Sequence, residues 1–461
     1  MAISGAGHGS TTPLKDETNM KVRTWTAAAL TGLACAGALS GGVAVAQEQY
    51  FPTLTYRTGL YATNGIPFAN GIADYYKLVN ARGGINGVPI THEECETAYD
   101  TARSVECYER LKGRHGGAAL FHTLTTGATF ALSEKAPVDR IPLVTVGYGR
   151  SESADGSVFP WNFPLAGTYW VATDVIVQAI GTREGGLEKL RGKKIALVYH
   201  DSPFGKESLP VMQARSKELG FDLQLLPVIA ASADQKSTWL QVRHAHSDYV
   251  VLYGWGAMSA TALREAQATG YARDRIYGVW WAGAEPDVRA MGEDAKGYNA
   301  ITLHHSADRG APVIQDILEK VHGKGQGTGP RTEVGDVLYM RGVISAALGV
   351  EGVRAAQEKF GVGKVMTGEQ VRWGLENLNL SREKLDALGF SGMLSPIKTS
   401  CKDHVGSRSA RIHTWDGRQW VYSTDWFEAD KNLLDRLVQE TAGRYAREKN
   451  ITPRTDAECT N

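Results

Sequence analysis

Short β-prone runs alternate with helical stripes along most of this chain, and that alternation leaves few folds open. Parallel strands need a crossover of a dozen or more residues, and a helix usually supplies it. In the first series Leu54–Leu60 is extended, and Ala69–Asn80 carries Ile72, Tyr75, Tyr76 and Val79 on one helical face. A turn at residues 81–87 (ARGGING) is followed by strand Val88–Glu93, helix Thr101–Lys112, strand Ala118–Phe121, helix Ala128–Lys135 and strand Pro142–Val146. A second series gives helix Val171–Thr182, strand Lys194–Tyr199, helix Lys206–Leu219, strand Leu223–Val228 and helix Thr238–His246. It ends with strand Tyr249–Tyr253, helix Ala257–Thr269 and strand Ile276–Trp280. Two such series predict an α/β fold with parallel sheets in two similar lobes. A length of 461 residues suits two cores better than one.

The series meet in Pro142–Trp170 (PLVTVGYGRSESADGSVFPWNFPLAGTYW), which has little periodicity after its opening strand. Its break at Gly147-Tyr148-Gly149-Arg150 leaves an aromatic ring and a guanidinium at a strand's carboxyl end. Open α/β sheets put their ligands there. The segment therefore reads both as a ligand loop and as the first crossing between lobes. Beyond residue 301, Asp336–Phe360 is the longest helical stretch and Thr367–Leu388 divides into two short helices. Arg408–Trp415 and Gln419–Asp425 form a hairpin around Asp416-Gly417, and Leu433–Lys449 is helical.

Residues 1–46 read as a leader. Met20-Lys21-Val22-Arg23 is a positive n-region, Trp25–Val45 is apolar and rich in Ala and Gly, and Ala44-Val45-Ala46 has the small-x-small form of a cleavage site. The polar residues before Met20 do not suit a signal peptide, so Met20 is the expected start. Cleavage removes Cys35 and leaves Cys95, Cys107, Cys401 and Cys459, an even number in an exported chain. Of three connectivities, Cys95–Cys107 is favoured because a strand end and the next helix bring them together. Cys401–Cys459 then tethers the tail. Loops of this size are worth roughly 2–4 kcal/mol each. A formal net charge of zero gives no electrostatic case for nucleic acid.

No strong catalytic motif stands out: there is no G-x-S-x-G elbow, no H-E-x-x-H and no phosphate loop. Gly254-Trp255-Gly256-Ala257-Met258-Ser259 is only a partial dinucleotide fingerprint, because Ser259 replaces the third glycine and Trp255 would crowd a pyrophosphate. His244/His246 and His304/His305 lack ligand partners at metal spacing. No cofactor or metal is expected, and without a nucleophile–base pair the chain is not read as an enzyme. What remains suits a small organic molecule. Thr123, Thr125 and Thr126 offer hydroxyls beside free backbone N–H groups at a helix start, a carboxylate site. Arg150 offers a bidentate contact to an anion. Tyr148, Trp255, Trp280 and Trp281 sit at strand ends as an aromatic wall, and Glu285 is positioned for an ammonium group. Each has a plainer alternative: core packing for the rings, caps for the threonines and Glu285, a structural charge for Arg150.

Residues 65–71 (GIPFANG), 80–87 (NARGGING) and 201–205 (DSPFG) resemble the branched-chain amino-acid class of periplasmic solute-binding proteins of ABC importers. The likeness runs from about Tyr50 to Asp425. It implies two Rossmann-like lobes joined by three crossings, the type I periplasmic arrangement. Residues 50–167 plus 302–394 would form one lobe and 168–301 plus 395–461 the other. It also implies an inter-lobe site in which Thr125, Thr126, Tyr148, Gly149 and Arg150 meet the carboxylate, Tyr169 contributes just after the first crossing and Glu285 takes the ammonium. Trp255 and Trp281 complete the candidate set. The family's amino-acid binders carry small residues where this chain has Tyr148-Gly149-Arg150, which tilts the expected ligand toward a larger or aromatic carboxylate. The implied partner is an ABC permease in the inner membrane, the location the periplasm, and the state a monomer. A sensor reporting to a membrane receptor or kinase is the alternative on the same fold, and genes next to this one would separate the two.

Overall fold

The computed structural model describes residues 47–229, 234–304 and 309–460. The leader, its cleavage site, the Met20 start and His305 lie outside them.

The first sheet contains β1 (Gln49–Thr55), β2 (Ile90–Glu96), β3 (Phe121–His122), β4 (Leu143–Val144) and β5 (Asn162–Phe163) in the order β2-β1-β3-β4-β5, all parallel. The second holds β6 (Lys194–His200), β7 (Asp222–Val228), β8 (Tyr249–Tyr253), β9 (Ile276–Gly278) and β10 (Asn299–Thr302). A small antiparallel pair follows in the chain, β11 (Asn379–Leu380) with β12 (Ile397–Lys398). Then β13 (Ser409–Trp415), β14 (Trp420–Tyr422) and β15 (Phe427–Glu428) add antiparallel strands beyond β10, giving the order β14-β13-β10-β9-β8-β6-β7 with β15 on β13. The chain passes between the sheets after β5, after β10 and between β12 and β13, as three crossings require.

The α/β alternation is as the sequence predicts, and its departures have local causes. β1 starts earlier than Leu54 because all seven of its residues are buried, so no two-residue alternation marks it. The first helix runs Ala62–Ala81 through Pro67, where a sequence rule would have stopped it. Asn162–Phe163 is a strand inside the stretch read as irregular, paired with Leu143 and Val144. β9 ends at Gly278, and Trp280–Ala282 is a tight turn instead of strand.

The long helix Val337–Phe360 lies against Ala62–Ala81, and two glycines permit the approach. A Cβ on Gly71 would sit 2.0 Å from the Tyr339 carbonyl oxygen, and one on Gly342 would sit 2.0 Å from that of Phe68. The helices therefore touch backbone to backbone, which holds Gly342 and its neighbour Arg341 at a fixed place along the first helix. Both disulfides form as expected: Cys95–Cys107 and Cys401–Cys459 have Cα separations of 5.8 and 5.4 Å. The tail also lies against the crossings, since Arg454 donates to Glu376 Oε1 (2.6 Å) and to the carbonyls of Gly156 (3.0 Å) and Cys401 (3.1 Å). Among the described residues no helix is long and apolar enough to cross a membrane.

Candidate functional site

The carboxyl ends of strands from both sheets meet in one aromatic cluster. Tyr56 follows β1 and Tyr148 follows β4 on one side; Trp255 follows β8, and Trp280 and Trp281 follow β9 on the other. Such ends collect ligand residues in α/β proteins because loops there can vary without disturbing the sheet. Trp281 is at the centre, with ring centroids 4.8 Å from Tyr148, 4.8 Å from Trp255 and 5.9 Å from Phe68. Tyr61 and Tyr56 pack on Trp255 at 6.2 and 6.0 Å, and Tyr169 stacks on Trp280 at 4.9 Å. All of these rings are buried.

The polar groups of the cluster bind across the junction. Gly147 has φ +76°, which suits glycine, and a Cβ there would come within 3.1 Å of the Trp281 ring. Its carbonyl accepts the indole N–H groups of both Trp280 (3.2 Å) and Trp281 (2.8 Å), and the Trp281 N–H also lies 2.7 Å from the Tyr169 hydroxyl. The hydroxyls of Tyr56 and Tyr148 are 3.0 Å apart. Tyr61 and His200 Nε2 are 2.9 Å apart, and burial pulls that imidazole down to about 4, so it is neutral.

Arg341 enters the cluster from the long helix, with its guanidinium 4.6 Å over the Trp281 ring. Nη1 donates to the Trp280 carbonyl at 3.0 Å, while Nε and Nη2 are buried without a hydrogen-bond partner. Burial pulls this guanidinium down to about 10, which is uncommon for arginine. The sequence reading missed it. The available signal was a single cation inside the apolar run Val337–Val350, a position that burial makes costly unless something compensates it.

The other candidates divide. Thr125 caps helix Thr126–Leu132 by accepting from the Ala128 N–H (3.0 Å), and Thr126 Oγ1 accepts the Gly149 N–H (3.1 Å). Gly149 has no room for a side chain, since a Cβ would lie 2.4 Å from Thr126 Cγ2. Arg150 turns away from the Trp281 group. Its guanidinium sits 4.1 to 4.9 Å from the rings of Tyr445, Phe159 and Phe130 and pairs with Glu152 at 3.1 Å. Glu285 caps the long helix: Oε2 accepts the Val337 N–H at 3.0 Å, and burial, then Asp336, push its carboxyl up to about 7. These positions favour the plainer alternatives for Thr125, Arg150 and Glu285.

Glu207 joins the same junction from the second series. It accepts from the Arg150 N–H (3.2 Å), the Ser151 N–H (3.1 Å) and the Ser151 hydroxyl (2.5 Å). Burial, then Glu152, push its carboxyl up to about 7, against about 4.3 in an unfolded chain. The folded state thus holds this proton more tightly. The resulting stability is full below pH 4.3 and lost as pH rises through 7. Glu207→Gln should therefore melt higher than the natural protein at pH 8, with the advantage gone near pH 3 (both pH values being ~1 unit outside the titration window). A constant difference in melting temperature across that range would exclude the titration.

The family model described as periplasmic binding protein matches residues 48–419. The chain is a periplasmic binding protein. Members of this family serve ABC transporters as substrate-binding proteins and are not enzymes. A solved structure titled as an ABC transporter permease from the Pseudomonas fluorescens group is 39% identical, with TM-score 0.83, covering 89% of this chain and 99% of that one. A branched-chain amino-acid ABC transporter from Thermus thermophilus with bound valine is 23% identical (TM-score 0.69; 85% and 99% covered). A solute-binding protein from R. palustris in complex with 4-hydroxybenzoate is 13% identical (TM-score 0.65; 83% and 97% covered). No curated protein matches the chain.

Proposed function

We propose that this periplasmic binding protein takes up a small organic carboxylate between two lobes and hands it to an ABC permease in the inner membrane. Residues 50–167 plus 302–394 and 168–301 plus 395–461 are the proposed lobes, closing on the ligand as a monomer in the periplasm. The observation that carries this is the aromatic cluster at the strand ends, to which both sheets contribute and in which a buried guanidinium keeps two donors unfilled. Such a wall binds an apolar or aromatic body, and the few polar groups orient it. Fold relatives hold valine and 4-hydroxybenzoate, so both amino acids and aromatic acids belong in the trial. Tyr148, Tyr169, Trp255 and Trp281 are the proposed contacts of the ligand body, with Thr126 and Gly149 holding the loop. Ligand binding shifts the equilibrium toward the closed form, which the permease recognises.

Thermal-shift screening of the mature protein against amino acids, aromatic acids and their amides tests this. At least one carboxylate at ~100 Kd should raise the melting temperature by several degrees. A flat response across the carboxylates would remove the proposed ligand class.

A further inference from the structure

We infer that the Nε–Nη2 edge of Arg341 takes the ligand's anionic group, and that the ligand is a small aromatic acid without an ammonium group. This rests on the ligand-binding role proposed above. In a guanidinium, Nε and Nη2 lie on one edge, and their N–H bonds point in parallel toward the two oxygens of a carboxylate. In Arg341 these are the two atoms without a partner, whereas Nη1 is fixed on the Trp280 carbonyl. Among the described residues no carboxylate pairs with Arg341. The same long helix shows the contrast: Arg354, with a half-buried side chain, pairs with Glu351 at 3.1 Å. A fully buried arginine with one edge open calls for an anion from outside the chain.

The surroundings define the rest of the ligand. The ionisable groups facing Arg341 are the hydroxyls of Tyr148, Tyr169 and Tyr56 and the carboxyls of Glu285 and Asp287. The hydroxyls can donate to an anion. The acids nearby are poor partners for an ammonium. Glu285 holds the long helix's first N–H, and Asp287 accepts the Ala284 N–H at 3.0 Å. Burial raises both carboxyls above their usual range, which favours their neutral forms. Phe68, Tyr148 and Trp255 pack on Trp281 here with centroids 4.8 to 5.9 Å apart, and on the proposed opening of the lobes these are the ring faces that would receive a planar body.

The test uses the mature protein, Arg341→Met and Arg341→Lys, with benzoate, benzamide and L-leucine as probes and melting temperature and calorimetry as readouts. Benzoate, but not its neutral isostere benzamide, should raise the melting temperature of the natural protein. Arg341→Met should bind benzoate about 100-fold more weakly, and Arg341→Lys should recover part of that loss. Equal effects of benzoate and benzamide, or full benzoate binding by Arg341→Met, overturn the role of Arg341 while leaving the ligand-binding role intact. A response to L-leucine and none to benzoate overturns the ligand class. The probe-free arm stands apart from that role: replacing an uncompensated buried charge by an apolar side chain should raise the melting temperature. A fall would make Arg341 a structural residue and overturn the inference even if none of the probes binds.

Discussion

Replacing Gly342 with valine should cost about 3 kcal/mol or more of folding stability and lower the melting temperature by many degrees. A Cβ at this position would meet the Phe68 carbonyl oxygen at 2.0 Å and the Ile72 amide nitrogen at 3.0 Å. These are backbone atoms of the helix Ala62–Ala81, so no side-chain rotation relieves the clash. The helices would have to separate, opening gaps along an interface whose residues are fully buried. Glycine's own disadvantage in a helix, about 1 kcal/mol against alanine, acts in the opposite direction and is too small to offset this. Gly71→Ala should behave similarly, because its Cβ would lie 2.0 Å from the Tyr339 carbonyl. Gly443 on the C-terminal helix serves as control: the nearest atom to its Cβ is the end of Arg447, at 3.6 Å, so Gly443→Ala should be neutral or slightly stabilising. Urea unfolding of the three variants measures this, and equal midpoints for Gly342→Val and Gly443→Ala would contradict the packing account.

That interface also shows what a sequence can and cannot give. The pattern of apolar residues was enough for the α/β alternation, the two series and the long helix, because a covered parallel sheet needs each of them. Both disulfides were legible because a strand end next to a helix leaves few partners. The close helix approach was not, since glycine carries no hydrophobic signal and its role depends on a carbonyl supplied about 270 residues away in the chain, as Gly342 meets that of Phe68 and Gly71 that of Tyr339, a separation that loop closure must bring together. Site residues divide on the same line. Tyr148, Tyr169, Trp255 and Trp281 follow strands or open a helix, and local order alone brings them to the junction. Arg150 also follows a strand, yet φ +83° at this residue and the rings of Phe159 and Tyr445 draw its side chain the other way. Arg341 lies in the second turn of the long helix, within an apolar run that reads as core, and the Gly71–Gly342 contact brings it to Trp281.

Trp281→Ala should give the other large effect, and it should fall on closure as well as on folding. Truncating a buried tryptophan costs about 3–5 kcal/mol. In Trp281, however, the partners come from both sides of the junction. Tyr148, Phe68, the Gly147 carbonyl and the Arg341 guanidinium belong to the first proposed lobe, whereas Trp255 belongs to the second. The first group of contacts exists only when the strand ends meet. Trp239 is the comparison: it is fully buried and packs on Tyr271 within the second series, so its loss weakens folding but leaves the junction untouched. Small-angle scattering and calorimetry separate the two outcomes. Trp281→Ala should enlarge the radius of gyration of the folded protein and weaken carboxylate binding, and Trp281→Phe should recover part of both through its ring. Trp239→Ala should lower the melting temperature at an unchanged radius. If both variants lose only folding stability, Trp281 is a core residue and the junction does not open there. If Trp281→Ala alone expands while folded, the contact between Trp281 and Tyr148 is the closing contact, and the ligand's ring is what it closes upon.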